Sequence, residues 1–210
     1  MIQRFKQWLF EQSSYSEHHT FIPMKARIPT TGHAGLVETG KKITAKHGGS
    51  MSIGLSGAAK PLSIQDKTKL AEKTFGHKVE TGSHVNGIVP GLIHLHKSGV
   101  KHLHIVAGSD RVDEYKNLLS KYNGKPDKKG VIPFHFDSVT VHKHGADRNE
   151  GDVDKHPSEM NDAEKAQTVS ASRIEKYANE GDHKAVQAYY PSLKSHEVKK
   201  LVKNIQAGSQ

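Results

Sequence analysis

The sequence predicts an α/β fold, a parallel β-sheet covered by helices on both faces. Two observations carry that expectation. Short apolar runs alternate along the chain with helix-patterned segments, and most of those segments stop at a glycine, a common helix end. A chain that alternates strand and helix in this way builds parallel pairs, because each crossover returns the chain to the same end of the sheet. The 210 residues suffice for one sizeable core with an appendage or two.

Taken in order, the expected strands are "TFIPMKARI" from Thr20, "SMSIGLS" from Ser50, "HKVETGS" from His77, "KHLHIVAGS" from Lys101 and "VIPFHFDSVTV" from Val131. The intervening "AGLVETGKKITAKHG", "SIQDKTKLAEKTFG", "VPGLIHLHKSG" and "RVDEYKNLLSKYNG" mostly carry apolar residues three and four apart, the helical repeat. Residues 143–167 are polar enough to be expected as a loop. From Ser192 a basic amphipathic helix and tail follow. At the other end, Ile2, Phe5, Trp8 and Leu9 share one helical face of an amphipathic leader. The expected division is thus a leader at 1–18, a domain at 19–191 and a basic C-terminal helix at 192–210.

Composition narrows the function classes. The net charge of +9, from 31 Lys plus Arg against 22 Asp plus Glu, favours anionic partners. The basic residues are spread out, with neither aromatic interleaving nor a recognisable DNA-reading motif, so nucleic acid is not the expected ligand. No apolar run approaches the roughly 20 residues of a membrane span, and the N-terminus lacks the apolar centre of a secretory signal, so an intracellular protein without a membrane partner is expected. Zero cysteines exclude disulfides and thiolate metal sites. Of the 16 histidines, His94-x-His96 and His102-x-His104 could each grip an ion only from an extended strand, and neither pair has a third ligand at a convincing spacing. No protein-held metal is expected.

Right-handed crossovers place every strand-to-helix turn on one sheet edge, where ligands of such folds bind. Three pieces are expected there: "PTTGH" at Pro29–His33, "GSDR" at Gly108–Arg111 and "SASR" at Ser170–Arg173. In the first, a helix start offers unpaired N–H groups and a positive dipole end, and Gly32 permits close approach of a phosphate. The Thr30 hydroxyl and the His33 imidazole add donors toward oxygens on which charge develops. The plainer alternative is that Thr30 only caps the helix. Neither a Walker loop nor Gly-x-Gly-x-x-Gly is present.

"IPTTGHAGL" resembles the Thr/His-x-Gly-His signature of the nucleotidyltransferase superfamily of adenylyl- and cytidylyltransferases, and "VSASRIEKYANEGD" resembles its second signature. Nucleotidyltransferase-like proteins of tailed phages are closer, matched in order by "LSGAAKPLSIQDKTKLAEKTF", "VAGSDRVDEYKNLLSKYNGK" and "SASRIEKYANEGDHKAVQAYYP", so that the resemblance covers roughly His19 to Pro191. It implies a Rossmann-like five-stranded parallel sheet binding ATP or CTP with Mg²⁺. A phosphate-bearing acceptor would attack the α-phosphorus and release pyrophosphate. Thr30 and His33 would contact the triphosphate, Ser170 and Ser172 its β- and γ-phosphates, and Asp110 with Arg111 the nucleoside or the acceptor. Where the pattern has a phosphate-binding arginine this chain has Glu175, so Arg173 or Lys176 would have to substitute, with Lys60 and Arg148 as further cations. If Glu175 weakens phosphate binding, Glu175→Arg is expected to tighten it.

Glu175 also motivates the alternative of a degenerate nucleotide-binding member, or a virion-packaged accessory protein, without turnover. Leu9-Phe10-Glu11 resembles the Leu-x-Glu site cut by phage prohead proteases. Cleavage after Glu11, contact with a capsid or its protease, and packaging from the host cytoplasm into the virion are the corresponding expectations.

Overall fold

The computed structural model describes residues 15–57, 60–145 and 155–209. The leader face, the expected cleavage site after Glu11 and Arg148 lie outside the described residues. A parallel sheet forms from β1 (His18–Lys25), β2 (Ser50–Ser56), β3 (His102–Gly108) and β4 (Ser138–His144) in the order β2-β1-β3-β4. In register, Phe21 stands beside Ser52 on one side and Ile105 on the other, and Ile105 beside Val141.

The sheet has four strands where the resemblance implied five. The missing strand is "HKVETGS". It touches β2 at one bridge, Gly54 to Glu80, with Leu55 N–H donating to Glu80 O and Glu80 N–H to Ile53 O, both at 2.8 Å. Gly82, at φ 120°, then turns the chain into a short 3-10 helix at Ser83–Val85 before a ladder can extend. The last strand also starts later than its apolar run. In the stretch before it the Asn123 side chain takes both backbone groups of Phe136, accepting from its N–H at 2.8 Å and donating to its carbonyl at 3.0 Å. Phe134 and Phe136 are buried as core side chains and not as ladder residues.

Alternation along the strands separates two apolar faces. On one, helices α1 (Thr31–His47) and α2 (Ile64–Phe75) cover Ile22, Met24, Ile53, Leu55 and Val106. On the other, α3 (Ile88–Lys97) and α4 (Val112–Tyr122) cover Phe21, Leu103, Ile105 and Ala107. Local signals set the ends of α2: the Ser63 hydroxyl accepts from Asp66 N–H at 3.1 Å, and Gly76 closes the helix in the left-handed region.

The polar segment expected as a loop contains α5 (Asp162–Thr168). Asn161 and Glu164 form a reciprocal capping box, at 2.9 Å and 2.8 Å, which outweighs the segment's polarity. Helices α6 (Ala171–Asn179), α7 (His183–Tyr189) and α8 (Ser195–Ser209) then close a third apolar cluster that includes Ile28, Leu62 and Leu70. Two polar contacts tie this layer to the segment following β1. Tyr190 donates to the Pro29 carbonyl at 2.6 Å, and Arg27 pairs with Glu175 at 2.5 Å.

Candidate functional site

The chain reverses its direction of winding between β1 and β3, since β2 lies outside β1 and β4 outside β3. At such a switch point the two flanking turns leave toward opposite faces and open a crevice at the carboxyl ends of the strands. A cleft of about 400 Å³ lies there. It is walled by Lys25 and Met24 of β1, Gly54 and Ser56 of β2, Ala107 and Gly108 of β3, His33 of α1, and Asp110, Arg111, Glu114 and Tyr115.

His33 is oriented by its own helix start. Thr30 is the N-cap and His33 the third helical residue; Thr30 N–H donates to His33 Nδ1 at 3.0 Å, and the Thr30 hydroxyl lies 2.8 Å from the same nitrogen. A nitrogen that accepts a backbone N–H carries no proton of its own, so in the neutral ring the proton sits on Nε2. The part the structure displays for Thr30 is the plainer alternative, that of a cap. The residue is 1% exposed, caps α1 and fixes the imidazole; it does not wall the cleft. Gly32 occupies the first turn of α1 and is half-buried.

Asp110 and Arg111 form the facing wall as a 3-10 turn after β3. Arg111 is gripped on both sides, by Glu114 at 2.6 Å and Asp110 at 3.6 Å, and the Glu114 hydrogen bond and charge raise its pKa. Tyr115, buried behind them, has its phenol pKa raised by burial and by the Glu114 charge. Both carboxylates of the cleft, Asp110 and Glu114, thus face Arg111, while Lys25 lines the cleft from β1. The α1 N-terminus adds the positive end of a helix dipole to the same cleft.

The second expected motif stands apart from this wall. Ser170 is the N-cap of α6, accepting from Arg173 N–H at 3.2 Å, while Ser172 and Lys176 are exposed on that helix; none of Ser170, Ser172, Arg173 and Lys176 lines the cleft. Lys60 is exposed beside Pro61 and lies outside the cleft wall too. Glu175 does not confront the cleft as a bare carboxylate: it pairs with Arg27, two residues beyond the cleft residue Lys25, and its second oxygen is buried without a hydrogen-bond partner.

Sequence reading missed Lys25, Glu114 and Tyr115. Lys25 is the only charged residue inside "TFIPMKA", at the carboxyl end of a strand, which was its available signal. Among the described residues no three His, Cys, Asp or Glu side chains are grouped to hold a metal ion. His94 and His96 are on a helix, pointing apart, whereas His102 and His104 share a sheet face. No helix among the described residues is long and apolar enough to cross a membrane. No protein-family model, no curated protein and no solved structure matches this chain.

Proposed function

We propose that this chain is a nucleotidyltransferase that moves an adenylyl or cytidylyl group from ATP or CTP to a phosphate-bearing small molecule. The observation that carries the reading is the position of His33, at the N-terminus of α1 in the switch-point cleft, with its ring oriented through Nδ1 by Thr30. An acceptor phosphate oxygen attacks the α-phosphorus, the bond from the α-phosphorus to the bridging oxygen breaks, and pyrophosphate leaves with that oxygen. His33 and the α1 N-terminus donate toward the oxygens that gain charge, and Lys25 and Arg111 flank them. No protein nucleophile is needed, because positioning and charge neutralisation carry such a transfer.

Mg²⁺ fits this cleft as a companion of the triphosphate. Hard oxygen donors are present in Asp110 and Glu114, and Mg²⁺ characteristically uses one or two carboxylates together with phosphate oxygens. The ion would offset triphosphate charge, since Arg111 is already faced by Asp110 and Glu114.

A second reading has its own observation. Because α6 holds Ser170 and Ser172 away from the cleft wall, and Glu175 and Arg27 neutralise each other, the phosphate-binding half of the pattern is weakened. That favours a nucleotide binder without turnover, in the cytoplasm or packaged in a virion. One experiment separates the readings: the protein is incubated with labelled ATP or CTP, Mg²⁺ and a panel of phosphomonoesters. Pyrophosphate release that falls about 10²- to 10³-fold in His33→Ala, with an unchanged melting curve, supports the transferase. Binding without release supports the second reading, and equal turnover in the variant removes His33 from the chemistry.

A further inference from the structure

The face of the sheet covered by α1 is divided. Over β1 and β2 the helix packs on aliphatic side chains, and Gly40 is so close to Ile22 that a Cβ there would meet Ile22 Cδ1 at 2.6 Å. Over β3 and β4 the same helix packs on imidazoles. His47, at its last residue, lies against His104 with ring centroids 4.3 Å apart, and His104 Nδ1 is 3.0 Å from His142 Nε2. Further along, Thr39 meets His144 Nδ1 at 2.7 Å, and His144 fills the space above Gly35, where a Cβ would come within 2.4 Å of its Nε2. The stacked rings of His18 and His102, 4.3 Å apart, extend the seam to the amino ends of the strands.

This seam holds together only while most of its rings are neutral. The His104–His142 hydrogen bond needs one nitrogen to donate and the other to accept. With both rings protonated, two N–H groups would face each other across 3.0 Å. The charges facing the pair are themselves basic: His47 and Lys46 from α1, His18 from β1 and His102 from β3. Lys143 lies between His142 and His144 on β4. The carboxylate at the open end is Glu17, beside His18 and His102, and it is already bonded to Lys101 at 2.6 Å. Burial and these neighbours lower the pKa of both rings, to about 4 for His104. The aliphatic half of the interface has no such dependence.

We propose that the imidazole seam is a proton-operated latch, which holds α1 against β3 and β4 at neutral pH and releases it in mildly acidic solution. Each added proton puts an unanswered charge between the helix and the sheet, and separation readmits water to it. Because α1 bears His33 at its other end, release of the helix also loosens the wall of the cleft.

Hydrogen exchange read by mass spectrometry on the full chain tests the latch. With rates corrected for intrinsic pH dependence, α1 peptides are expected to lose about 10-fold in protection between pH 7.5 and pH 5.0, ahead of β2 peptides. The double variant His104→Gln/His142→Gln is expected to lose less than about 2-fold, since a glutamine pair keeps donor and acceptor but binds no proton. Equal losses in wild type and variant, a loss shared uniformly by the whole chain, or no loss at all would each overturn the proposal. Should the variant not fold at pH 7.5, the imidazole NMR titration of the wild-type protein decides. His104 and His142 titrating below ordinary histidines, with α1 amides shifting in step, uphold the latch; titration at or above the ordinary pH sinks it.

Discussion

Lowering the pH from 7.5 to 5.0 is expected to cost this fold about 2 kcal/mol through His19 alone. The ring is 1% exposed in β1, with Nδ1 2.8 Å from Ser50 Oγ and Nε2 2.8 Å from Ser52 Oγ, and Tyr15 stands edge-on at 4.8 Å. Either hydroxyl can turn to accept as well as donate, so protonation need not break these bonds; what it costs is the burial of a charge. Burial lowers the pKa from 6.5 to about 4. The unfolded chain therefore takes up the proton as the pH falls through 6.5, while the folded chain does so only near 4. Across that interval the unfolded state holds more protons, and stability declines with falling pH. Linkage gives about 2 kcal/mol at pH 5 and about 3 kcal/mol at pH 4, with full stability retained above 6.5. Other buried histidines add to the slope, so the informative quantity is a difference. Equilibrium urea unfolding is measured at both pH values for the wild type and for His19→Gln, which removes the titration but keeps a donor and an acceptor. With an m-value of about 2 kcal/mol/M, the wild-type midpoint should fall by about 1 M more than the variant's. Equal midpoint shifts in the two proteins would rule out the buried ring as the source of the pH dependence.

Tyr190→Phe removes the donor to the Pro29 carbonyl while keeping the ring, and calorimetry should show a loss of about 1 to 3 kcal/mol, because that buried oxygen then lacks its partner. Gly91→Ala would press a methyl group to 2.7 Å from one Phe21 ring carbon and 2.8 Å from another; an overpacking cost toward the upper end of about 1 to 3 kcal/mol, less about 1 kcal/mol of helix propensity, leaves up to about 2 kcal/mol of destabilisation, visible as a lower Tm. Glu175→Arg replaces the partner of Arg27 with a second guanidinium, and the Arg27 charge already bears on the buried Lys67. From the sequence this change was expected to tighten triphosphate binding. The ion pair leads instead to a lower melting temperature with no gain in affinity, checked by thermal melts and titration calorimetry with ATP and CTP.

The layering was legible without the fold. Alternation in "SMSIGLS" and "KHLHIVAGS", helical spacing in "SIQDKTKLAEKTFG" and a glycine after it are local properties, and local sterics and burial enforce them wherever the segment sits. The same holds for His33: its place three residues after a capping threonine is a matter of helix geometry, so its location at a strand-to-helix turn was legible. Asp110 and Arg111 were legible for the same reason, as the first residues after a strand. Tertiary structure decided what depends on partners distant in the chain. "HKVETGS" has the composition of a strand, yet a glycine turn leaves it a single bridge. By contrast, the capping box of "NDAE" is local, Asn161 to Glu164, and was open to a reading by motif where composition passed it over. Nothing local says that Glu175 meets Arg27 across 148 residues, that Thr30 is buried behind His33, or that Ser170 and Ser172 lie off the cleft wall. Six histidines scattered from 18 to 144 become one seam only because β1, β3, β4 and α1 are stacked together, and an imidazole's protonation, unlike a strand's alternation, is set by whatever the fold brings against it.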